Sequence, residues 1–524
     1  MDPFLGLSFA EAQGLPDGLF LRPLHSGVQI LLLLWLGAML AALPRARGAW
    51  AATALAFALR WLTFEPRVHM HGDKPYDHLV AGWGLLGTDP IYGEAWRSLL
   101  GIAHYTFGTG YDLAHVVAAI ASGLTPLWVH TAVARAWPSD PRAADAAALL
   151  AAVLPLPLAL APTETVFPLL ALAQTVAVAA ALGTRRRDDL LAALSIGVLI
   201  QCRPLQLPMA LVIGAILLFR RRWLALAAAG ALFAWRVDAL DLAIVQHGGV
   251  SNVSRGAKLD SLARTLLQPS YHVGPGAHWI VTDPRLTPVG VAVAAALGAG
   301  VGLRQRMPQV AALLAMGTLG ALVHWSQDSH ADMLRFHLAE QSWWAALAGI
   351  GVASLMTRPR WLAAWAAVAV LSFLPATGAR HPEWAWVAQH RLLRDWVQLP
   401  PDGVTVRVHP QQAGGSKAFL GWTWRRSEAT WRAQDGPLEP GEWVFAGLAD
   451  VMAGDAPDWD RLEPVVEAWL APEGGGVLNF GDEPVRVGLF RVVQAPTHSL
   501  TPQARPDATP PGAAPAPPPG SADR

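Results

Sequence analysis

Residues 199–222 read "LIQCRPLQLPMALVIGAILLFRRR". Two apolar runs meet at Arg203–Pro204, and the second closes on the triplet Arg220–Arg222. Arginines that flank membrane segments are retained in the cytoplasm, so the triplet assigns its end of the run to that side. Arg203 then lies on the outer side, where no orientation rule asks for a cation. It needs an anion there, a carboxylate such as Glu164 or a phosphate.

The same alternation runs through the chain. Apolar blocks fall at 28–43, 50–64, 112–134, 145–161, 166–183, 189–202, 205–219, 223–245, 288–303, 308–325, 338–356 and 361–376. They are roughly 15–22 residues each, the length class that crosses a hydrocarbon core of about 30 Å. Arg45/Arg47, Arg135/Arg142, Arg185–Arg187, Arg220–Arg222, Arg304/Arg306 and Arg358/Arg360 mark every second connection. This regularity predicts a polytopic α-helical membrane protein of about 12 transmembrane helices, spanning 1–376. Glycine and proline recur inside the blocks, which neighbouring helices of a bundle accommodate.

Composition agrees. Of 524 residues, 53% are hydrophobic and 15% charged, against about 25% charged in soluble proteins. The 39 basic and 39 acidic residues cancel, so net charge points to no nucleic-acid partner. Cys202 is the single cysteine, which excludes an internal disulfide and a cysteine-based metal cluster. The N-terminal "ILLLLWLGAMLAALP" lacks a good cleavage site and reads as a retained membrane helix.

Beyond Gly378 the pattern changes. "HPEWAWVAQHRLLRDWVQLPPDGVTVRVHP" predicts an amphipathic helix, a turn and a strand. "GEWVFAGL" and "VRVGLFRVV" are further strands, and "DWDRLEPVVEAWL" is a helix candidate. Residues 377–495 are thus expected to form a small C-terminal α/β extracytoplasmic domain, and the proline-rich 496–524 a disordered tail.

Ionisable groups gather in the outer connections. Loop 65–111 holds "RVHMHGDKPYDHLVAGW", where Pro75 places Asp73 in a loop or cap and Asp77 can cap an interfacial helix. Asp73 either pairs with Lys74 or Arg67 or does chemistry. His69 and His71 alternate and, with Asp73, have a strand-like spacing that suits a divalent metal. Glu164 stands alone between apolar blocks, at the outer surface or paired in the bundle. "HWSQDSHADMLRFHLAEQSWW" brings Arg335, His337 and Glu340 to the start of another block. In loop 246–287, Arg255, Lys258 and Arg264 face membrane lipid headgroups or water.

Four stretches together resemble the membrane glycosyltransferases of the C-type fold, which include the protein O-mannosyltransferases and the aminoarabinose lipid A transferases. They are "HMHGDKPYDHLVAG", "AVLPLPLALAPTETVFPLLALAQTVAVAAALGTRRR", "LIQCRPLQLPMALVIGAILLFRRR" and "DMLRFHLAEQSWWAALAGIGVA", within residues 65–356. The resemblance implies transfer of a sugar from a polyprenyl-phosphate-linked donor to an acceptor on the outer face, with inversion. Asp73 would be the general base, with Asp77 as the second catalytic carboxylate. Glu164, Arg203, Arg335 and His337 would bind substrate, the arginines on the leaving phosphate. His69 and His71 would hold a divalent metal ion where one is used. A bacterial inner-membrane location with a periplasmic C-terminal domain follows. Two other classes compete. A lipid-linked-sugar transporter should carry charges near mid-helix, where Asp238 and Asp241 are the main exceptions to an apolar interior. A non-enzymatic envelope-assembly scaffold would use the C-terminal domain to bind a partner.

Overall fold

The computed structural model describes residues 27–62, 95–107, 113–161, 166–203, 206–235, 287–305, 307–325, 337–378, 389, 392–393, 395–409, 429–433, 436–447, 450, 458–470 and 485–493. Each apolar block contains a helix. In chain order they are α1 (Gly27–Ala41), α2 (Arg47–Leu62), α3 (Ala95–Phe107), α4 (Leu113–Ala136), α5 (Pro141–Val153), α6 (Pro155–Leu160), α7 (Phe167–Leu182) and α8 (Arg186–Cys202). There follow α9 (Leu207–Phe219), α10 (Trp223–Ala234), α11 (Val289–Arg304), α12 (Pro308–Trp325), α13 (Leu338–Met356) and α14 (Pro359–Gly378). Among the described residues, α4 is long and apolar enough to cross a membrane by length and composition, and seven shorter helices are comparably apolar.

The bundle turns large apolar side chains outward. Leu62, Phe219 and Leu224 are 75–80% exposed, and Leu34, Leu40 and Leu371 also face out. Polar side chains such as Arg60, Gln174, Arg203 and Glu340 are buried instead. Water would penalise that distribution and lipid would not.

Helix α7 is buried along its whole length and packs against α4, α8, α9 and α13. Helix α13 is the second axis, lying against α11, α5 and α12. The approach is backbone to backbone. A Cβ on Gly351 would land on the carbonyl of Ala294, and one on Gly298 on that of Leu347. Apolar side chains gain little from mutual contact in lipid, so small residues that admit close packing hold such helices together.

The arginine-bearing connections meet at one end. Arg135 pairs with Asp188 at 3.2 Å and Arg222 with Asp189. Arg187 donates to the Ala41 carbonyl at 3.1 Å, and Arg220 to that of Gly183 at 3.3 Å. The ends of α1, α4, α7 and α9 and the starts of α8 and α10 therefore share a face.

Block 145–161 is not one helix. Asp140 caps α5, accepting from the Arg142 amide at 3.0 Å, and the helix stops at Leu154, whose ψ of 134° is extended. Pro155 and Pro157 lack the N–H groups that would continue the ladder. A new short helix, α6, starts there.

The C-terminal region contains a five-stranded sheet of β1 (Thr405–Val408), β2 (Thr430–Ala433), β3 (Trp443–Ala446), β4 (Leu462–Leu470) and β5 (Val485–Val492). Its order is β2-β1-β3-β5-β4. β1 pairs in parallel with β2 and β3, while β5 is antiparallel to β3 and β4. Leu393 and Trp396, both helical, pack on Val406, Phe445, Val487 and Leu489. "DWDRLEPVVEAWL" corrects the helix expectation: it is a single 3-10 turn, Trp459–Arg461, followed by β4. Pairing along β5 decides its state. Pro464 is tolerated because β4 is an edge strand, with a register irregularity between Pro464 and Val466.

Candidate functional site

The end opposite the arginine-bearing connections carries a buried polar layer organised on the first turns of α13. His337 precedes the helix with Glu340 one turn on, and His337 Nδ1 lies 3.3 Å from Glu340 Oε2 with both side chains buried. An acid in the first turn complements the positive end of the helix. The Glu340 carboxylate lies against Gly320 of α12, where a Cβ would meet it at 2.7 Å. Gln341 accepts from the hydroxyl of Thr287, just before α11, at 3.1 Å.

On another face of α13, Trp343 Nε1 donates to Gln174 Oε1 at 3.1 Å. Gln174 Nε2 donates to Gln206 Oε1 at 2.7 Å. Gln206 belongs to the connection between α8 and α9, and its amide donates to the Arg203 carbonyl at 2.9 Å. Arg203 ends α8, is 3% exposed, and holds its guanidinium 5.5 Å from the centroid of the Phe167 ring in a cation–π contact. Arg203 and His337 are thus tied to one polar layer through Gln206, Gln174 and Trp343.

The third sector belongs to Arg60, in the last turn of α2 and 3% exposed. Its Nε donates to Ser122 Oγ at 2.8 Å, and Nη1 to the carbonyls of Ala56 at 3.1 Å and Ala152 at 3.2 Å. Ala152 lies at the end of α5, where the proline break leaves carbonyls short of donors. Arg60, Ser122, Thr125, Pro168, Leu338 and Ser342 line a cavity of about 10 Å³.

Of the residues singled out in the sequence, Arg203, His337 and Glu340 fall in this layer. Asp73, Asp77, Glu164, Arg335, His69 and His71 lie outside the described residues. Among the described residues no group of three or more His, Cys, Asp or Glu side chains gathers to hold a metal. Arg60 escapes the sequence reading because it sits inside the apolar block 50–64. The signal was available: a lone arginine in an apolar run, away from any basic flank, asks for a partner. Gln174, Gln206 and Gln341 are neutral and carry no comparable mark.

What the layer offers chemically is a planar cation with several donors, a histidine–carboxylate pair and neutral amides in a desolvated setting. That suits an anionic, hydroxyl-rich ligand more than an apolar one.

In fold, this architecture resembles that of the C-type membrane glycosyltransferases. ArnT from Cupriavidus metallidurans in the apo state is similar in structure, 12% identical, with 84% of this chain and 97% of that one covered at TM-score 0.52. The same organism's ArnT bound to undecaprenyl phosphate is 13% identical over 86% and 99%, at TM-score 0.49. The archaeal oligosaccharyltransferase AglB from Archaeoglobus fulgidus, in complex with an inhibitory peptide and a dolichol-phosphate, is 15% identical over 73% of this chain, at TM-score 0.45. The chain spans 64% of the length of that oligosaccharyltransferase. No protein-family model matches the sequence, and no curated protein does.

Proposed function

We propose that the chain transfers a sugar from a polyprenyl-phosphate carrier to a lipid, glycan or protein acceptor on the outer face of a bacterial inner membrane, inverting the anomeric carbon. One observation carries the reading. A bundle of C-type glycosyltransferase fold gathers Arg203, His337 and their polar layer at the end opposite its arginine-bearing connections. In this reading about twelve helices cross the membrane and the arginine-bearing connections face the cytoplasm. Residues 377–495 are then a periplasmic α/β domain, followed by the tail 496–524.

Asp73 takes the proton of the acceptor hydroxyl as its oxygen attacks the anomeric carbon from the face opposite the phosphate. The bond from that carbon to the phosphate oxygen breaks, and its electron pair leaves with the phosphate. Arg203 and Arg335 meet the charge that accumulates there. Asp77 is the second carboxylate, while Glu164 and His337 bind the substrate's polar groups. His69 and His71 are the residues proposed to hold a divalent ion, which would help neutralise the phosphate.

The test is transfer from polyprenyl-linked sugars in membranes or detergent, wild type beside Asp73→Asn. A general base contributes about 10²–10⁴-fold, so the variant should fold, insert and lose nearly all transfer. Full activity in Asp73→Asn would move the base elsewhere. A folded wild type inactive with every carrier offered would favour the scaffold reading.

A further inference from the structure

Arg60 holds more charge than its visible duties need. Its three hydrogen bonds go to a serine hydroxyl and two carbonyls, all neutral. None of these partners carries a charge that would offset the guanidinium's own. An ionised side chain at this depth is costly unless an anion meets it. None of the three bonds engages Nη2.

The cavity that Arg60 lines has room for about one water-sized oxygen. Of the other hydroxyls around it, Thr125 is committed to the Ala121 carbonyl at 3.0 Å. Ser342 is buried and has no partner among the described residues. Pro168 forms another wall, and its neighbour Phe167 carries Arg203 over its ring. Two buried guanidinium groups therefore flank the first turn of α7.

We infer that Arg60 and Ser342 form an inner oxyanion subsite that seats one oxygen of the carrier's phosphate, a role that rests on the transfer reading above. A sugar-linked phosphodiester carries one negative charge, and the polyprenyl monophosphate released by transfer carries up to two. A buried cation at this cavity thus favours the leaving phosphate over the bound donor. Ser342 donates to the same oxygen.

The experiment measures binding of a polyprenyl monophosphate to the full chain in nanodiscs, with melting temperature followed in parallel. Arg60→Gln should weaken binding about 10- to 100-fold, the range expected for a lost charge-assisted hydrogen bond. Arg60→Lys should recover part of it. Ser342→Ala, which leaves the bonds to Ala152 and Ser122 intact, should weaken binding by a smaller factor. Inorganic phosphate at equal concentration should not compete; competition would put a free anion in the subsite and overturn its assignment to the carrier. Unchanged lipid binding in Arg60→Gln and Ser342→Ala, with only the melting temperature lowered, would reduce Arg60 to a cap for α5 and overturn the inference while leaving the transfer reading intact. A wild type that binds no polyprenyl monophosphate would overturn both.

Discussion

The indole of Trp343 donates to the side-chain oxygen of Gln174, 169 positions away, at 3.1 Å. Gln174 passes the connection to Gln206 at 2.7 Å. Two central helices are thereby keyed to the turn that presents Arg203. Leaving a buried acceptor unpaired costs about 1–3 kcal/mol, so Trp343→Phe should destabilise the folded bundle by that order. Gln174→Leu should do likewise, and the double variant should fall short of the sum by about 0.5–3 kcal/mol. Thermal unfolding in detergent reads this, and strict additivity would show that Trp343 and Gln174 do not act as a unit.

The crossing of α11 and α13 makes a contrasting pair of predictions. Gly351→Val drives a branched side chain into the Ala294 carbonyl and the backbone of Gly298. Gly300 of the same α11 has open space where a Cβ would go. Gly351→Val should lose most folded protein in fluorescence size-exclusion chromatography. Gly300→Ala should match wild type or gain up to about 1 kcal/mol from helix propensity. Equal tolerance of both would mean the two helices do not touch as described.

Arg203, with Arg60, is one of the two described cations proposed above to meet the leaving phosphate. Removing one group aimed at transition-state charge costs about 10²–10³-fold in turnover. Arg203→Gln should show a loss of that size. Arg203→Lys should fall between, since the charge remains and the planar fork is lost. Arg335→Lys should impair transfer for the same reason. Steady-state transfer assays decide it, and wild-type turnover in Arg203→Gln would remove this residue from the chemistry.

Orientation is open to direct measurement. Reporter fusions at Gly378, the end of α14, and at Arg186, the start of α8, should report opposite sides of the membrane. The same side for both would break the arginine scheme.

The helices were legible because apolar length and flanking arginines are local properties. The break at Leu154 was also written in the sequence, in Pro155 and Pro157, but a hydropathy window averages over it. β4 was not legible: "LEPVVEAWL" satisfies either helical or alternating periodicity, and only β5 beside it selects the strand. Arg203 and His337 could be read because each sits at the edge of an apolar run. Arg60 hid inside one, and the amide relay of Gln174 and Gln206 depends on contacts between segments that no local pattern announces.

The glycine contact between α11 and α13 has a kinetic consequence. With Gly351 against the Ala294 carbonyl and Gly298 against that of Leu347, axial sliding would drive peptide groups through one another. Gly349 sets a similar stop against Ala143 of α5. Packed backbones of this kind switch between discrete arrangements or do not move at all. In the transfer proposed above, the α5–α11–α13 triplet would act as a fixed frame, and any opening to admit a lipid or release a product would fall to segments outside it.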